Sequence, residues 1–159
     1  METNNKGDSS LRELSESAAD EGQLLRSLYA IRQRSCSDFA AYASSAEFNL
    51  GMKWSKVHGS LNGKVEHMKI QPGIGIGGMV LRHGTVFAVD EKRNAAMLRE
   101  CPVMLAEKLI SAIGVPVSSA GYTHSMNGIL LLGRRSNPLF TEEEIQGLSS
   151  FLAEKGDNR

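Results

Sequence analysis

Apolar residues recur along this chain with two different periods, and each period predicts one kind of element. Residues 24–31 place leucines and an isoleucine on one stripe, which predicts an amphipathic helix. Helical spacing returns near the C-terminus, where Thr141 and Glu144 stand three residues apart as a capping box. The apolar stripe of this last predicted helix consists of Ile145, Leu148, Phe151 and Leu152.

Alternating or continuous apolar runs predict the strands, which lie between these two helices. The predicted strands are Asp38–Ser44, Gly51–His58, Thr85–Val89, Leu109–Val117 and Gly128–Arg134, with a turn at Gly121–Asn127 before the last. A short helix at Gly78–Arg82, ended by Gly84, and a helical segment at Arg93–Glu100 separate them. This order predicts an α+β fold, a central antiparallel sheet flanked by helices.

The N-terminal segment differs from the rest of the chain in composition and in charge. Residues 1–19 are polar and acidic, and we interpret them as a disordered polar tail before a single domain at residues 20–159. The whole chain has no net charge, but the residues before Leu24 carry −4 and the remainder therefore +4. A balanced chain of this kind gives no reason to expect a nucleic-acid or membrane partner, whereas a mildly basic body suits a small anion.

Targeting signals, cysteines and histidines narrow the class of protein further. We see neither a membrane-spanning stretch nor the apolar core of a signal peptide. Cys36 and Cys101 stand far apart, and the four histidines lack ligand spacing, so we expect no metal and no cofactor. A reduced cytoplasmic protein is the simplest interpretation.

Four glycines within residues 73–78, GIGIGG, are the most informative local feature. A glycine-rich turn that leads into a helix presents free backbone N–H groups and suits a small anion. The spacing of Gly73, Gly75 and Gly78 also matches the dinucleotide fingerprint, but Pro72 precedes the loop and no buried parallel strand leads into it. A tight turn without a ligand is the simpler alternative.

Three strings resemble the GAF domain, a small-molecule sensor module of bacterial signalling proteins. Residues 72–84, PGIGIGGMVLRHG, are similar to its glycine segment. Residues 128–133, GILLLG, resemble its penultimate strand, and residues 140–144, FTEEE, resemble the start of its C-terminal helix. The resemblance covers the chain from about Leu24 onwards and implies the GAF fold.

A narrower resemblance connects the chain to the NreA-type nitrate receptors. Residues 52–62, MKWSKVHGSLN, resemble their second-strand segment, and residues 101–109, CPVMLAEKL, resemble their YPIxxAEEL segment. Members of that family bind nitrate in the GAF pocket through backbone N–H groups and control a sensor histidine kinase. The match implicates Trp54, Ile76, Gly77, Pro102 and Val103 in ligand binding. Cys101, which stands where the family has tyrosine, is expected to line the same pocket.

The resemblance implies a nitrate sensor that takes part in two-component signal transduction. We expect that it is not an enzyme, because no Ser-His, Cys-His or paired-carboxylate constellation can be placed near the glycine loop. We see no output domain in the chain, so we expect its effect to fall on a partner, a sensor histidine kinase. A homodimer built on residues 24–31 and the last helix is the alternative. Three other functions are possible for this fold. The first is a free methionine sulfoxide reductase, which would need a nucleophilic and a resolving cysteine. The others are a sensor of another small molecule, such as a cyclic nucleotide, and a scaffold without a ligand.

Overall fold

The computed structural model describes residues 21–44, 52–118 and 126–148. The strands are β1 (Phe39–Ser44), β2 (Lys56–His58), β3 (Phe87–Val89), β4 (Ser111–Ser118) and β5 (Met126–Arg134). The helices are α1 (Glu21–Arg34), α2 (Gly75–His83), α3 (Met97–Glu100), α4 (Pro102–Glu107) and α5 (residues 142–148), with a 3₁₀ helix at Lys64–His67. None of the described helices is long and apolar enough to cross a bilayer.

The five strands form one sheet in the order β2-β1-β5-β4-β3, and every neighbouring pair is antiparallel. Leu131 lies at the centre, opposite Ala41 of β1 and Gly114 of β4. The structure therefore confirms the predicted α+β fold with a central antiparallel sheet.

Strand β5 reads as a continuous apolar run because both of its faces are buried. Ile129 and Leu131 point to one face, whereas Leu130 and Leu132 point to the other. The first pair belongs to the cluster that we call the pocket-side cluster, and the second to the helix-side cluster beneath α1. The described members of the helix-side cluster are Leu28, Ile31, Ala40, Tyr42, Ile113, Val115, Val117, Leu130, Leu132 and Phe140.

The pocket-side cluster lies between the sheet and the segments that connect its strands. Its members are Phe39, Ala41, Ala43, Met52, Trp54, Val65, Ile70, Ile76, Val80, Val89, Cys101, Val103, Met104, Leu109, Ala112, Ile129 and Leu131. Helix α2 comes closest to the sheet at Gly114 of β4, where an added Cβ would lie 2.6 Å from Ile76 Cγ2 and 2.8 Å from Val80 Cγ2. Burial of these two side chains fixes α2 over the sheet.

Several predicted elements have different boundaries in the structure; the helical segment predicted at Arg93–Glu100, for example, forms α3 only over Met97–Glu100. Helix α2 begins at Gly75 rather than at Gly78, because the buried Ile76 anchors the glycine-rich turn to the sheet. Strand β2 covers only Lys56–His58. Ser55 N–H still donates to Tyr42 O of β1 at 3.1 Å, but Lys53 pairs elsewhere, through an isolated antiparallel bridge to Lys69. The predicted strand from Gly51 is therefore shorter than its sequence pattern indicated.

The helix ends follow their predicted capping signals. Gly84 ends α2 with φ 68°, and its N–H donates to Val80 O at 2.7 Å. At the start of α5, Glu144 N–H donates to Thr141 Oγ1 at 3.1 Å and Thr141 N–H donates to Glu144 Oε1 at 2.8 Å, which confirms the capping box. The predicted tail at residues 1–19, most of the turn at 121–127 and the last helix beyond residue 148 lie outside the described residues.

Candidate functional site

A cavity of about 280 Å³ lies between the start of α2, the start of α4 and the segment 68–71. Its walls contain Trp54, Met68, Lys69, Ile70, Gln71, Ile74, Gly75, Ile76, Gly77, Gly78, Cys101, Pro102 and Val103. Exposed residues such as Ile74 and Pro102 line it together with buried ones such as Trp54, so the cavity reaches the surface. Room for several water-sized groups is ample for a small anion.

The start of α2 contributes backbone N–H groups to this wall. Gly75, Ile76 and Gly77 occupy the first turn, where a helix offers no carbonyl acceptor. No hydrogen bond from these three amides to another described residue is found, and no described side chain caps the helix at Ile74. The positive end of the helix dipole adds to the attraction that these amides have for a negative charge.

The glycines of the turn are required by backbone conformation and by close packing. Gly75 has φ 71°, in the left-handed region that residues with a Cβ rarely adopt. An ideal Cβ on Gly77 would lie 2.8 Å from Trp54 Cζ2 and 3.3 Å from Ile70 Cγ2. The tryptophan ring therefore lies directly on the backbone of the first helical turn, and even a methyl group there would force a rearrangement.

The start of α4 forms the opposite wall of the cavity. Cys101 precedes the helix in extended conformation, and Pro102 occupies the first helical position, where its missing N–H has no consequence. The Cys101 Sγ would lie 3.3 Å from a Cβ on Gly75, so the two helix starts are in contact. Cys101 and Val103 are buried, whereas Pro102 is exposed.

The structure brings together all of the residues that the sequence singled out for the ligand site. Trp54, Ile76, Gly77, Cys101, Pro102 and Val103 all line this one cavity. One part of the wall was not predicted from the sequence, the segment 68–71, in which Met68 and Ile70 alternate with two polar residues. That period of two is a strand signal, and Ile70 N–H indeed donates to Met52 O at 2.7 Å.

The chemistry of the walls is that of a site for a weakly hydrated molecule. Among the described residues that line the cavity, Lys69 is the single charged one, and the rest of this wall is mainly apolar side chain and backbone. Among the described residues, no group of three histidine, cysteine or acidic side chains could hold a metal ion. The glycine segment also differs from a dinucleotide site, because the described sheet has only antiparallel neighbours.

Comparison with known proteins gives structural neighbours but no sequence family. No protein-family model and no curated protein sequence matches the chain. A structure of Staphylococcus aureus NreA, mutated in its nitrate-binding site, is 25% identical with a TM-score of 0.64, over 80% of this chain and 99% of that one. The GAF domain of an Acinetobacter phosphoenolpyruvate-protein phosphotransferase is 17% identical with a TM-score of 0.67, over 98% and 91%.

A third structural neighbour is an enzyme. The type II free methionine-R-sulfoxide reductase of Thermoplasma acidophilum is 16% identical with a TM-score of 0.58, over 95% of this chain and 92% of that one. At this identity the likeness shows the fold alone. Together the neighbours establish that this chain is a GAF-fold protein that resembles NreA.

Proposed function

We propose that this protein is a nitrate sensor that binds the anion in the cavity between α2 and α4. The observation that carries the proposal is the set of three amides at the start of α2, without acceptors among the described residues, in the wall of a largely apolar cavity. The structural likeness to NreA, a protein with a nitrate-binding site, supports the same ligand.

The composition of the cavity favours nitrate over more strongly hydrated anions. Nitrate is planar and monovalent, and its oxygens are weak acceptors that backbone N–H groups can satisfy without a buried arginine, whose desolvation would be costly. Sulfate loses far more hydration free energy in an apolar cavity. The ring of Trp54 forms a flat wall beside Gly77 and suits a planar ligand.

We further propose that nitrate binding alters the affinity of this protein for a cytoplasmic sensor histidine kinase. A ligand regulates a partner only through its different affinities for the two states of the protein. A pull-down of sensor histidine kinases with this protein as bait, with and without nitrate, tests the proposal, and equal recovery in both conditions would contradict it.

The ligand proposal is tested by a thermal-denaturation series in sodium nitrate, chloride and sulfate at equal ionic strength. A ligand that binds only the folded state stabilises it by about 2.7 kcal/mol at a hundredfold excess over Kd. For a chain of this size, each kcal/mol raises Tm by roughly 2–4 °C. We expect a rise of several degrees in nitrate alone, and equal shifts in all three salts would contradict a nitrate site.

A reductase of free methionine sulfoxide is the second candidate, since the Cys101 thiol lies in the cavity wall. Such an enzyme needs a second cysteine to resolve the oxidised thiol. The other cysteine, Cys36, is exposed and is not among the residues that line the cavity. Turnover of free methionine sulfoxide that Cys101→Ser abolishes would establish this activity, and we expect none.

A further inference from the structure

Glu107, the last residue of α4, is a buried carboxylate that the ligand site does not use. Its side chain is fully buried. Oε1 accepts hydrogen bonds from Arg135 Nη2 at 2.6 Å and from Leu61 N–H at 2.8 Å, and Oε2 accepts one from the Ser60 hydroxyl. Arg135 Nε also donates to the carbonyl oxygen of Glu107 at 2.8 Å. A buried charge with this many partners resists displacement, because its removal leaves the partners unsatisfied.

These contacts fix one end of a helix whose other end forms the wall of the cavity. Helix α4 has only six residues, so Pro102 and Glu107 are separated by about 7–8 Å along its axis. Two of its side chains, Pro102 and Leu105, are exposed, and its apolar burial is limited to Val103, Met104 and the half-buried Ala106. So short a helix has little stability of its own and depends on such tertiary anchors.

We propose that Glu107 is a positioning residue for the cavity. Through its contacts with Ser60, Leu61 and Arg135 it holds α4 so that residues 101–103 stay against the start of α2. The importance of this wall for nitrate rests on the proposed function, but the anchoring itself does not. The same contacts join the cavity wall to the turn after β2.

The anchoring is tested without any ligand by the reactivity of Cys101 towards a thiol reagent such as 5,5′-dithiobis(2-nitrobenzoate). Cys36→Ser first removes the exposed thiol, which leaves the buried Cys101 as the reporter of local opening at the start of α4. We expect Cys101 to react about tenfold faster or more when Glu107→Gln is added to this background. The ion pair with Arg135 is absent from this variant, so α4 opens locally at a lower cost in free energy.

Asp90→Asn is the matched control. Asp90 is also a buried carboxylate, paired with Arg93 at 2.7 Å and hydrogen-bonded to two backbone N–H groups, but it does not line the cavity. The hydrogen bonds of its side chain are confined to residues 90–93 and do not involve α4, so the labelling rate of Cys101 should change much less than in Glu107→Gln. Equal acceleration in both variants, or none in Glu107→Gln, would overturn the proposal.

Nitrate affinity, measured by calorimetry at a temperature where all variants are folded, supplies the second readout. We expect Glu107→Gln to weaken binding about tenfold and Asp90→Asn to change it less than about twofold. If the parent protein does not bind nitrate, the proposed function fails, and the labelling rates alone decide the role of Glu107. If Glu107→Gln does not fold, Ser60→Ala, which removes one hydrogen bond to Glu107 and the acceptor of Gly63 N–H, should still accelerate labelling, and an unchanged rate would overturn the proposal.

Discussion

Helix α5 begins with a capping box formed by the side chains of Thr141 and Glu144, whereas the cap residue of α2, Ile74, provides no polar side-chain group. At α5, Thr141 and Glu144 satisfy each other's backbone N–H groups. At α2, the amides of the first turn have no acceptor among the described residues, and the cap residue Ile74 is 58% exposed. The capping box satisfies the amides of α5 within the protein, whereas the proposed ligand would satisfy the amides of α2. A capping side chain at α2 would occupy the amides that the proposed ligand needs.

Truncation of Trp54 should have the largest effect, because its ring covers the first turn of α2. The ring is 2% exposed, so Trp54→Ala should lower the free energy of unfolding by roughly 3–5 kcal/mol. We also expect the nitrate-dependent rise of Tm to disappear as the wall opens. Trp54→Phe, which keeps a ring, is the control and should retain part of the rise. An undiminished rise in folded Trp54→Ala would exclude the ring from the site.

A methyl group on Gly77 should disturb the contact between the Trp54 ring and the first turn of α2. The added Cβ would lie 2.8 Å from Trp54 Cζ2, and overpacking of this kind costs about 1–3 kcal/mol. Gly147→Ala is the matched control, since a Cβ at that position on α5 meets no atom within 4 Å. Chemical denaturation should show Gly77→Ala destabilised and Gly147→Ala unchanged or more stable, with weaker nitrate binding in the first alone.

A cap at Ile74 should convert the start of α2 into one that resembles α5. Ile74 already has the extended conformation of a cap residue, with φ −116° and ψ 121°, and a serine oxygen there would accept from the amide of Ile76 or Gly77. Ile74→Ser should therefore stabilise the protein by about 1 kcal/mol relative to Ile74→Ala. Loss of one ligand hydrogen bond should weaken nitrate binding roughly 2- to 10-fold. Tighter nitrate binding to Ile74→Ser than to the parent protein would contradict the prediction that a cap and nitrate compete for the same amides.

The smallest expected difference between the two helix starts is their response to acid. Burial by itself raises the pKa of Glu144, but the hydrogen bond from Thr141 N–H and the contact with Arg134 outweigh burial, and the net pKa is lowered from 4.5. A lowered pKa in the folded state gives stability that is present above about pH 4.5 and is lost as the pH falls through the folded value.

The comparison with Glu144→Gln isolates this contribution. The Tm difference between the parent protein and the variant should shrink as the pH is lowered from 6 to 3. Ile74→Ala should show no such convergence, because the first turn of α2 has no acidic residue. A Tm difference for Glu144→Gln that stays constant over this pH range would show that the ionised carboxylate does not support α5.

The sequence predicts the sheet well because burial leaves a clear pattern there. β5 is apolar at successive positions since both faces are covered, and the capping box of α5 is a local signal. The start of α2 was misplaced by three residues because glycines carry no apolar periodicity. The segment 64–71 was missed because a 3₁₀ helix and an isolated bridge are too short for a strong pattern.

The candidate site was predicted for a different reason. Trp54, Gly77 and Cys101 are distant in sequence, and only the resemblance to a family indicated that they meet, which the cavity now shows. Glu107 lies in the string CPVMLAEKL that the family resemblance covers, but no role was assigned to it, because a single glutamate in a sequence is normally exposed. Its burial depends on Ser60 and Arg135, which lie 47 and 28 residues away along the chain.

Titration of the isotope-labelled protein with sodium nitrate, followed by amide NMR, tests most directly whether the uncapped start of α2 is an anion site. We expect saturable shifts of the amides of Gly75, Ile76 and Gly77, with the capped amides at the start of α5 unchanged and sodium chloride without effect. Equal shifts at both helix starts, or saturable shifts confined to other residues, would contradict the account.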